Sequence, residues 1–437
     1  SFLALGPAHT VVGMNNQAWF YSTKAPRGSP IVFERKYPGS VDTVSLNLKW
    51  AAALYEGKAL LHPIDAASAG VPGAGPGKKK LDENVRLFPE KDDEAITDIS
   101  VSGDFFIYGT AKGTISFFYI PDWNTVVEYR RSEINKGVKW LFPNALGTRV
   151  VFVDTTGHGF LYNPVNDFTI PIPDWSENVH AVMWDRADSS VFVTATPDAL
   201  RTYCYVPVTL DGPKVNLVSK TNKPTTVNPL VSFNGSVTCQ DSSGVLTHVV
   251  LMSHTALLAP GTAQPPVAAA GASAAATDRR RQQFSQALKL NRIREAWSVA
   301  QKLNLADCWE ALGKESLSQL DITLAIIAYR QLGDAGMVDS LEQCSSVEDM
   351  NLLAGQVNLL WGNYDQAQKL FLASSEPLRA LWMRRDLMHW EQALQLAKSL
   401  APQELPMLSA ETAQQLEFKG DYQGALDMYQ AGLSGAQ

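Results

Sequence analysis

Six times in the first 258 residues the chain writes the same sentence: a β-rich run, a short turn built on Gly, Asn or Pro, and a second β-rich run. The six are TVVGMNNQAWFY, AAALYEGKALLH, FFIYGTAKGTISFFY, RVVFVDTTGHGFLY, SVFVTATPDALRTYCY and GSVTCQDSSGVLTHVV, with turns near Asn16, Gly57, Gly113, Gly157, Asp198 and Gly244. Successive turns stand 41, 56, 44, 41 and 46 residues apart. Runs rich in β-branched and aromatic residues around such turns are hairpins. Recurrence near forty residues, each hairpin preceded by a further run such as ITDISVS or VHAVMW, fits four-stranded blades of a β-propeller. A sandwich is the main rival. The recurring aromatic second strands WFY, SFFY, FLY and YCY favour one blade template reused radially, and the absence of a full GH…WD signature makes any WD-repeat identity degenerate. The one long step contains ASAGVPGAGPGKKKLDE, whose composition predicts a disordered loop.

Past residue 283 the hydrophobic period changes from two to 3.6. In LNRIREAWSVAQKLN the residues Ile293, Ala296, Trp297, Ala300 and Leu303 form one helical stripe. A bulky residue followed three positions later by Ala recurs as Ile293/Ala296, Ile322/Ala325, Tyr364/Ala367, Trp390/Ala393 and Tyr422/Ala425. Small residues are needed where two helix backbones approach closely, so these alanines are expected at helix-to-helix contacts. Their steps of 29, 42, 26 and 32 residues scatter around the spacing of tetratricopeptide repeats. Turn pairs such as Gly362-Asn363 and Gly420-Asp421 combine a left-handed C-cap with an N-cap. The expected architecture is a degenerate WD-type β-propeller over 1–258, an Ala/Pro/Gly-rich linker over 259–283, and the start of a tetratricopeptide-like α-solenoid over 284–437. A chain opening on Ser1 reads as a fragment, and the stripe Tyr422, Ala425, Leu426, Met428, Tyr429 and Leu433 reads as a solenoid helix awaiting a further repeat.

Charge divides between the two halves. Residues 284–437 hold twelve Lys and Arg against nineteen Asp and Glu, which is the whole net charge of −7, while residues 1–283 balance. An acidic solenoid argues against nucleic acid and anionic membrane as partners. No run approaches a membrane span, and the start SFLALGPAHT lacks the features of a secretory leader. Cys204, Cys239, Cys308 and Cys344 lack paired spacing and read as reduced core thiols, and the seven histidines form no zinc-binding cluster.

The apparent chemical motifs have plainer readings. Gly77-Lys78 is followed by Lys79 and position 72 is Pro, so GPGKKK is no phosphate loop. GLSGAQ lacks the spacing of a nucleophile elbow. Glu348-Asp349 and Asp92-Asp93 read as solvated surface, Lys78 to Lys80 and Arg279 to Arg281 as solvated linker, and Trp297, Trp309, Trp361, Trp382 and Trp390 as helix packing. No catalytic, cofactor-binding or metal-binding residue is expected.

The segments VVGMNNQAWFY, ALYEGKALLHPID, RLFPEKDD, FIYGTAKG, YNPVNDF, SLEQCSSVEDMNLLAGQ, MRRDLMHWEQALQLAKSLAP and LEFKGDYQGAL together resemble the family of the one-forty-four subunit of intraflagellar transport complex A. The resemblance implies tandem propellers followed by a long solenoid, of which this chain would hold the second propeller and the first repeats. It implies a non-enzymatic scaffold without cofactor, at the cilium or flagellum and basal body on the cytoplasmic side. Retrograde transport and ciliary entry of membrane cargo would be its work. The implied partners are other complex A subunits, met mainly through the solenoid, with complex B, a dynein motor and membrane-cargo adaptors as further contacts. The Ala/Gly/Pro tracts at 66–79 and 259–276 depart from the family pattern and look like lineage-specific insertions. A vesicle-coat subunit of the coatomer type shares the order of propeller and solenoid and is the alternative, against which the MNNQAWFY hairpin speaks.

Overall fold

The computed structural model describes residues 1–23, 33–64, 85–89, 94–130, 136–258 and 272–434. The tract at 66–80, Asp92-Asp93 and residues 259–271 lie outside these. Two compact units emerge: residues 1–206, 213–268 and 289–291 form one, and residues 207–212, 269–288 and 292–437 the other.

The first unit consists of six antiparallel sheets, each made of strands consecutive in the chain. They are β1 (Phe2–Leu5), β2 (His9–Met14), β3 (Gln17–Ser22) and β4 (Phe33–Lys36); β5 (Val41–Leu46), β6 (Trp50–Tyr55), β7 (Lys58–Pro63) and β8 (Arg86–Phe88); β9 (Ile96–Ser102), β10 (Phe105–Thr110), β11 (Thr114–Tyr119) and β12 (Asn124–Arg130). There follow β13 (Val138–Pro143), β14 (Val150–Asp154), β15 (Gly159–Asn163) and β16 (Phe168–Pro171); β17 (Ala181–Trp184), β18 (Val191–Ala195), β19 (Ala199–Val206) and β20 (Lys214–Asn222); and β21 (Asn228–Phe233), β22 (Ser236–Gln240) and β23 (Leu246–Val250). A short helix, α1 (Thr255–Leu258), follows the last strand. This is a six-bladed β-propeller, and every expected turn joins the second and third strands of a blade.

Blade packing follows from the sequence pattern. In the middle blades the second and third strands are largely buried, as in β14 (VVFVD, all buried) and β11 (TISFF buried), whereas β12 (NTVVEYR), a fourth strand, alternates. Between the second and third blades Phe88 meets Phe106, Tyr108 and Phe118 with ring centroids 4.9 to 5.6 Å apart. Two turns repeat atom for atom. Asp154 Oδ1 accepts from Thr156 N, Thr156 Oγ1 and His158 N at 3.0, 2.6 and 2.9 Å, and Asp241 Oδ1 accepts from Ser243 N, Ser243 Oγ and Val245 N at 2.9, 2.6 and 2.9 Å. In both, the chain reverses through a glycine at φ +86°, a conformation that costs a side chain dearly.

Bonds in or just beyond the first strands tie the second to the sixth blades in sequence. Val101 N donates to Ser45 Oγ at 2.9 Å, Leu141 N donates to Asp98 Oδ2 at 2.7 Å, Trp184 Nε1 donates to Phe142 O at 2.7 Å, and Asn234 N and Gly235 N donate to Asp185 at 2.8 and 2.9 Å. At the two ends of the row the surface is apolar: Leu3, Leu5 and Met14 on the first blade and Phe233, Leu246 and Met252 by the sixth are exposed.

The second unit is helical. Its elements are α2 (Ala272–Lys289), α3 (Ile293–Leu303), α4 (Ala306–Ser318), α5 (Ile322–Leu332), α6 (Ala335–Cys344), α7 (Met350–Leu360), α8 (Tyr364–Leu372), α9 (Leu378–Asp386), α10 (Trp390–Leu400), α11 (Leu405–Lys419) and α12 (Tyr422–Ser434). The expected linker over 259–283 is corrected here, because helix is present from Ala272. After Gly271 the sequence ASAAATDRRRQQ contains neither Gly nor Pro and is rich in strong helix formers. Arg279 to Arg281 are therefore helical, with Arg281 3.4 Å from Asp307.

Each of the five bulky residues paired with alanine is the first residue of its helix, in α3, α5, α8, α10 and α12. Ala296, Ala325, Ala367 and Ala393 are fully buried and Ala425 is 2% exposed. Ahead of each start the chain makes one turn. Asn291, Leu320, Gly362, Met388 and Gly420 have φ of 57, 60, 76, 56 and 82°. The amide of the next residue donates to the carbonyl five positions earlier at 2.8 to 2.9 Å, which closes the preceding helix in a Schellman turn. Helix α6 is the added element between α5 and α7, and it accounts for the step of 42 residues. Close approach also uses glycine on the facing helix: a Cβ on Gly355 would stand 2.6 Å from the Phe371 ring, and one on Gly313 3.0 Å from Tyr329. In α12, Tyr422 and Leu426 are exposed beside Phe418, so the expected stripe is only partly covered. All four cysteines are buried thiols outside any disulfide.

Candidate interaction surfaces

The five solenoid tryptophans do not form one class. Trp309 is buried; Trp297, Trp382 and Trp390 are half-buried; Trp361 is exposed beside the Gly362 turn. Asp349, expected as solvated surface, is half-buried and caps α7, accepting from Asn351 N at 2.9 Å and Leu352 N at 3.3 Å, and it also accepts from Ser375 N at 2.7 Å. Among the described residues no group of three or more His, Cys, Asp or Glu is placed to hold a metal ion, and no helix is long and apolar enough to cross a membrane.

One concentration of polar chemistry lies where three repeat starts converge. Asn363, Tyr364, Asp365 and Lys369 of the first, Met388, His389, Trp390 and Glu391 of the second, and Lys419 and Met428 around the third line one cavity of about 1000 Å³. Its floor is Arg384 on α9, which is 2% exposed. The guanidinium donates through Nε to Gln368 Oε1 at 2.6 Å, through Nη2 to Asp365 Oδ1 at 2.5 Å and through Nη1 to His389 Nδ1 at 3.0 Å. A guanidinium can only donate, so His389 Nδ1 accepts and the ring proton sits on Nε2. Tyr364 meets the His389 ring edge-on at 6.0 Å. Trp390 Nε1 donates to Gln415 Oε1, and Gln415 Nε2 reaches Met388 Sδ at 3.2 Å. The groove is thus braced by part-buried hydrogen bonds that link α8, α9, α10 and α11. Sequence reasoning identified the repeat starts but missed Arg384, whose role is set by partners 16 and 19 residues away and 5 residues ahead.

A second concavity, about 800 Å³, lies on the propeller. Asn47, Leu48, Trp50, Asp104, Pro121 and Trp123 contribute to it. Trp50 and Trp123 stand 5.5 Å apart, and Trp123 is held at φ 55°, an uncommon backbone state for a bulky residue. Arg86 supports them from below, donating to Trp123 O at 2.9 Å with its guanidinium 4.9 Å from the Phe118 ring centre.

Residues 1–254 match the family model described as the WDR19 second beta-propeller, and residues 308–409 match the IFT80/172/WDR35/WDR19 TPR domain. The chain belongs to the WDR19 family. WD repeat-containing protein 19 of Mus musculus is 41% identical over all of this chain, and that of Homo sapiens 40% identical over all of it. WD repeat-containing protein dyf-2 of Caenorhabditis elegans is 28% identical over 99% of it. The chain spans 31% of the length of each of these WDR19-family relatives. The coatomer alternative is not favoured by these matches.

Proposed function

We propose that the chain is part of the one-forty-four subunit of intraflagellar transport complex A, a non-enzymatic scaffold that supports retrograde transport and ciliary entry of membrane cargo through protein–protein contacts. Other complex A subunits dock chiefly on the solenoid; complex B, a dynein motor and membrane-cargo adaptors are further partners. Its place is the cilium and basal body, on the cytoplasmic side. The propeller over 1–258 and the solenoid over 284–437 act in this reading as a platform and a docking arm.

One observation carries the reading: the segments MRRDLMHWEQALQLAK and LEFKGDYQGAL, which bear the family resemblance, supply half of the lining of the solenoid groove. Buried Arg384 holds that groove in shape without any catalytic constellation beside it. Preorganised polar grooves of this kind serve recognition. The test is retrieval of the tagged chain from ciliated cells. Complex A subunits recovered in near-stoichiometric amount support the proposal, and coatomer subunits recovered in their place contradict it.

A further inference from the structure

The helical unit is acidic, yet the groove at the starts of α8 and α10 is not. Of the twelve cations in residues 284–437, Arg292, Lys314, Arg330, Arg379, Arg384 and Arg385 stand in ion pairs. Lys369 and Lys419 have no ion-pair partner among the described residues, are exposed, and open onto the same cavity. Arg384 is neutralised by Asp365, so the free charges of the lining are Lys369 and Lys419 against Glu391 alone. His389 adds an Nε2–H donor, because Nδ1 is taken by Arg384. Met388, Leu394, Leu416 and Met428 supply apolar wall between these donors.

We infer that this groove takes an acidic peptide segment of a partner polypeptide, its carboxylates meeting Lys369 and Lys419 and an aliphatic side chain resting on the methionines. The inference deepens the scaffold reading and rests on it for the nature of the partner. Charge selects the ligand. Around the groove the helical unit carries a net −7, so an anion-rich surface such as nucleic acid or lipid headgroups is repelled over its breadth, whereas a short acidic segment meets only the local cationic lining. Flexible methionines adapt the wall to the side chain presented.

The experiment uses the purified chain and three fluorescent peptides of one length and one Leu/Ser frame, carrying Glu, Gln or Lys at the remaining positions. Anisotropy should rank Glu above Gln above Lys, with binding weakening as salt rises. The double variant Lys369→Gln/Lys419→Gln should lose roughly tenfold or more in affinity for the Glu peptide. Lys398→Gln, an exposed lysine on α10 outside the groove, should change nothing. Both groove lysines are exposed, so the variants keep their fold, and unchanged melting checks it. No preference for the Glu peptide, or no effect of the double variant, overturns the inference. So does binding to phosphatidylserine vesicles that depends on the two lysines while no peptide binds. Retrieval of complex A subunits by a wild-type chain that shows no peptide preference overturns the groove assignment and leaves the scaffold reading standing. Glutamate-specific binding without such retrieval supports the groove and overturns that reading.

Discussion

The propeller and the solenoid solve the problem of repetition in opposite ways. In the propeller the repeated element is a turn, and large aromatic side chains fill the space between blades; Phe20, Phe88, Phe106, Phe118, Phe152 and Phe192 are all essentially buried. In the solenoid the repeated element is the helix start, and the buried position common to all five is an alanine. The propeller therefore concentrates its stability in a few large contacts and buried polar ties, while the solenoid spreads it over many small ones. That difference is what the proposed division into a platform and a docking arm calls for.

The comparison is broken most severely by an aromatic truncation. Phe118 is fully buried against Phe88 and Trp123. Phe118→Ala should destabilise the propeller by about 3–5 kcal/mol in denaturant unfolding. A loss below about 1 kcal/mol would mean that the aromatic cores are not where its stability resides.

Acid probes the propeller next. His62 is buried, its Nε2 2.8 Å from the Tyr37 hydroxyl and its Nδ1 3.0 Å from Pro63 O, and burial, with Arg35 nearby, pushes its pKa down to about 3. Asp98 is half-buried, and desolvation pushes its carboxyl up to about 6 against the two amides it accepts from. The signs oppose. The unfolded chain binds the His62 proton from about pH 6.5 downward while the folded chain does not, so that stability is lost as pH falls. The folded chain binds the Asp98 proton near pH 6 before the unfolded chain does, so that stability is gained as pH falls toward 4. Between about pH 6 and pH 4 the two offset in the wild type. His62→Gln removes one side, and the stability gap between wild type and variant should shrink by about 1.4 kcal/mol per pH unit from pH 6.5 down to pH 4. A gap independent of pH would contradict a neutral buried His62.

In the solenoid the steps are smaller. Ala367→Leu should overpack α8 within its cluster and cost about 1–3 kcal/mol, while the same change at exposed Ala335 or Ala431 should cost little. An unchanged melting temperature for Ala367→Leu would remove the alanine from the helix contact. Smallest of all, Asp349→Ala should cost about 1 kcal/mol through the lost cap of α7, read as higher hydrogen exchange at Asn351 and Leu352.

Much of this was legible because both repeats are written locally. The hairpin turns and the pairing of a bulky residue with alanine sit within a few positions of one another, so each is visible in a short window. The helix turns were half visible: Gly362 and Gly420 announce the left-handed residue, whereas Leu320 and Met388 adopt it because the flanking helices demand it. The start of α2 was placed too late, because an alanine-rich tract reads equally as linker and as helix until its neighbours choose. The groove was not legible. Its cations are separated by fifty residues of sequence, and only the stacking of three repeats brings Lys369 and Lys419 to one cavity.

The division of labour itself is tested by hydrogen exchange on the chain with and without co-purified complex A subunits. Protection gained across the starts of α8 and α10 and the turn between α11 and α12, with the propeller strands unchanged, is the result that a docking solenoid on a propeller platform requires. Protection gained on the propeller strands alone, with residues 362–369, 388–394 and 416–428 exchanging as before, would contradict it.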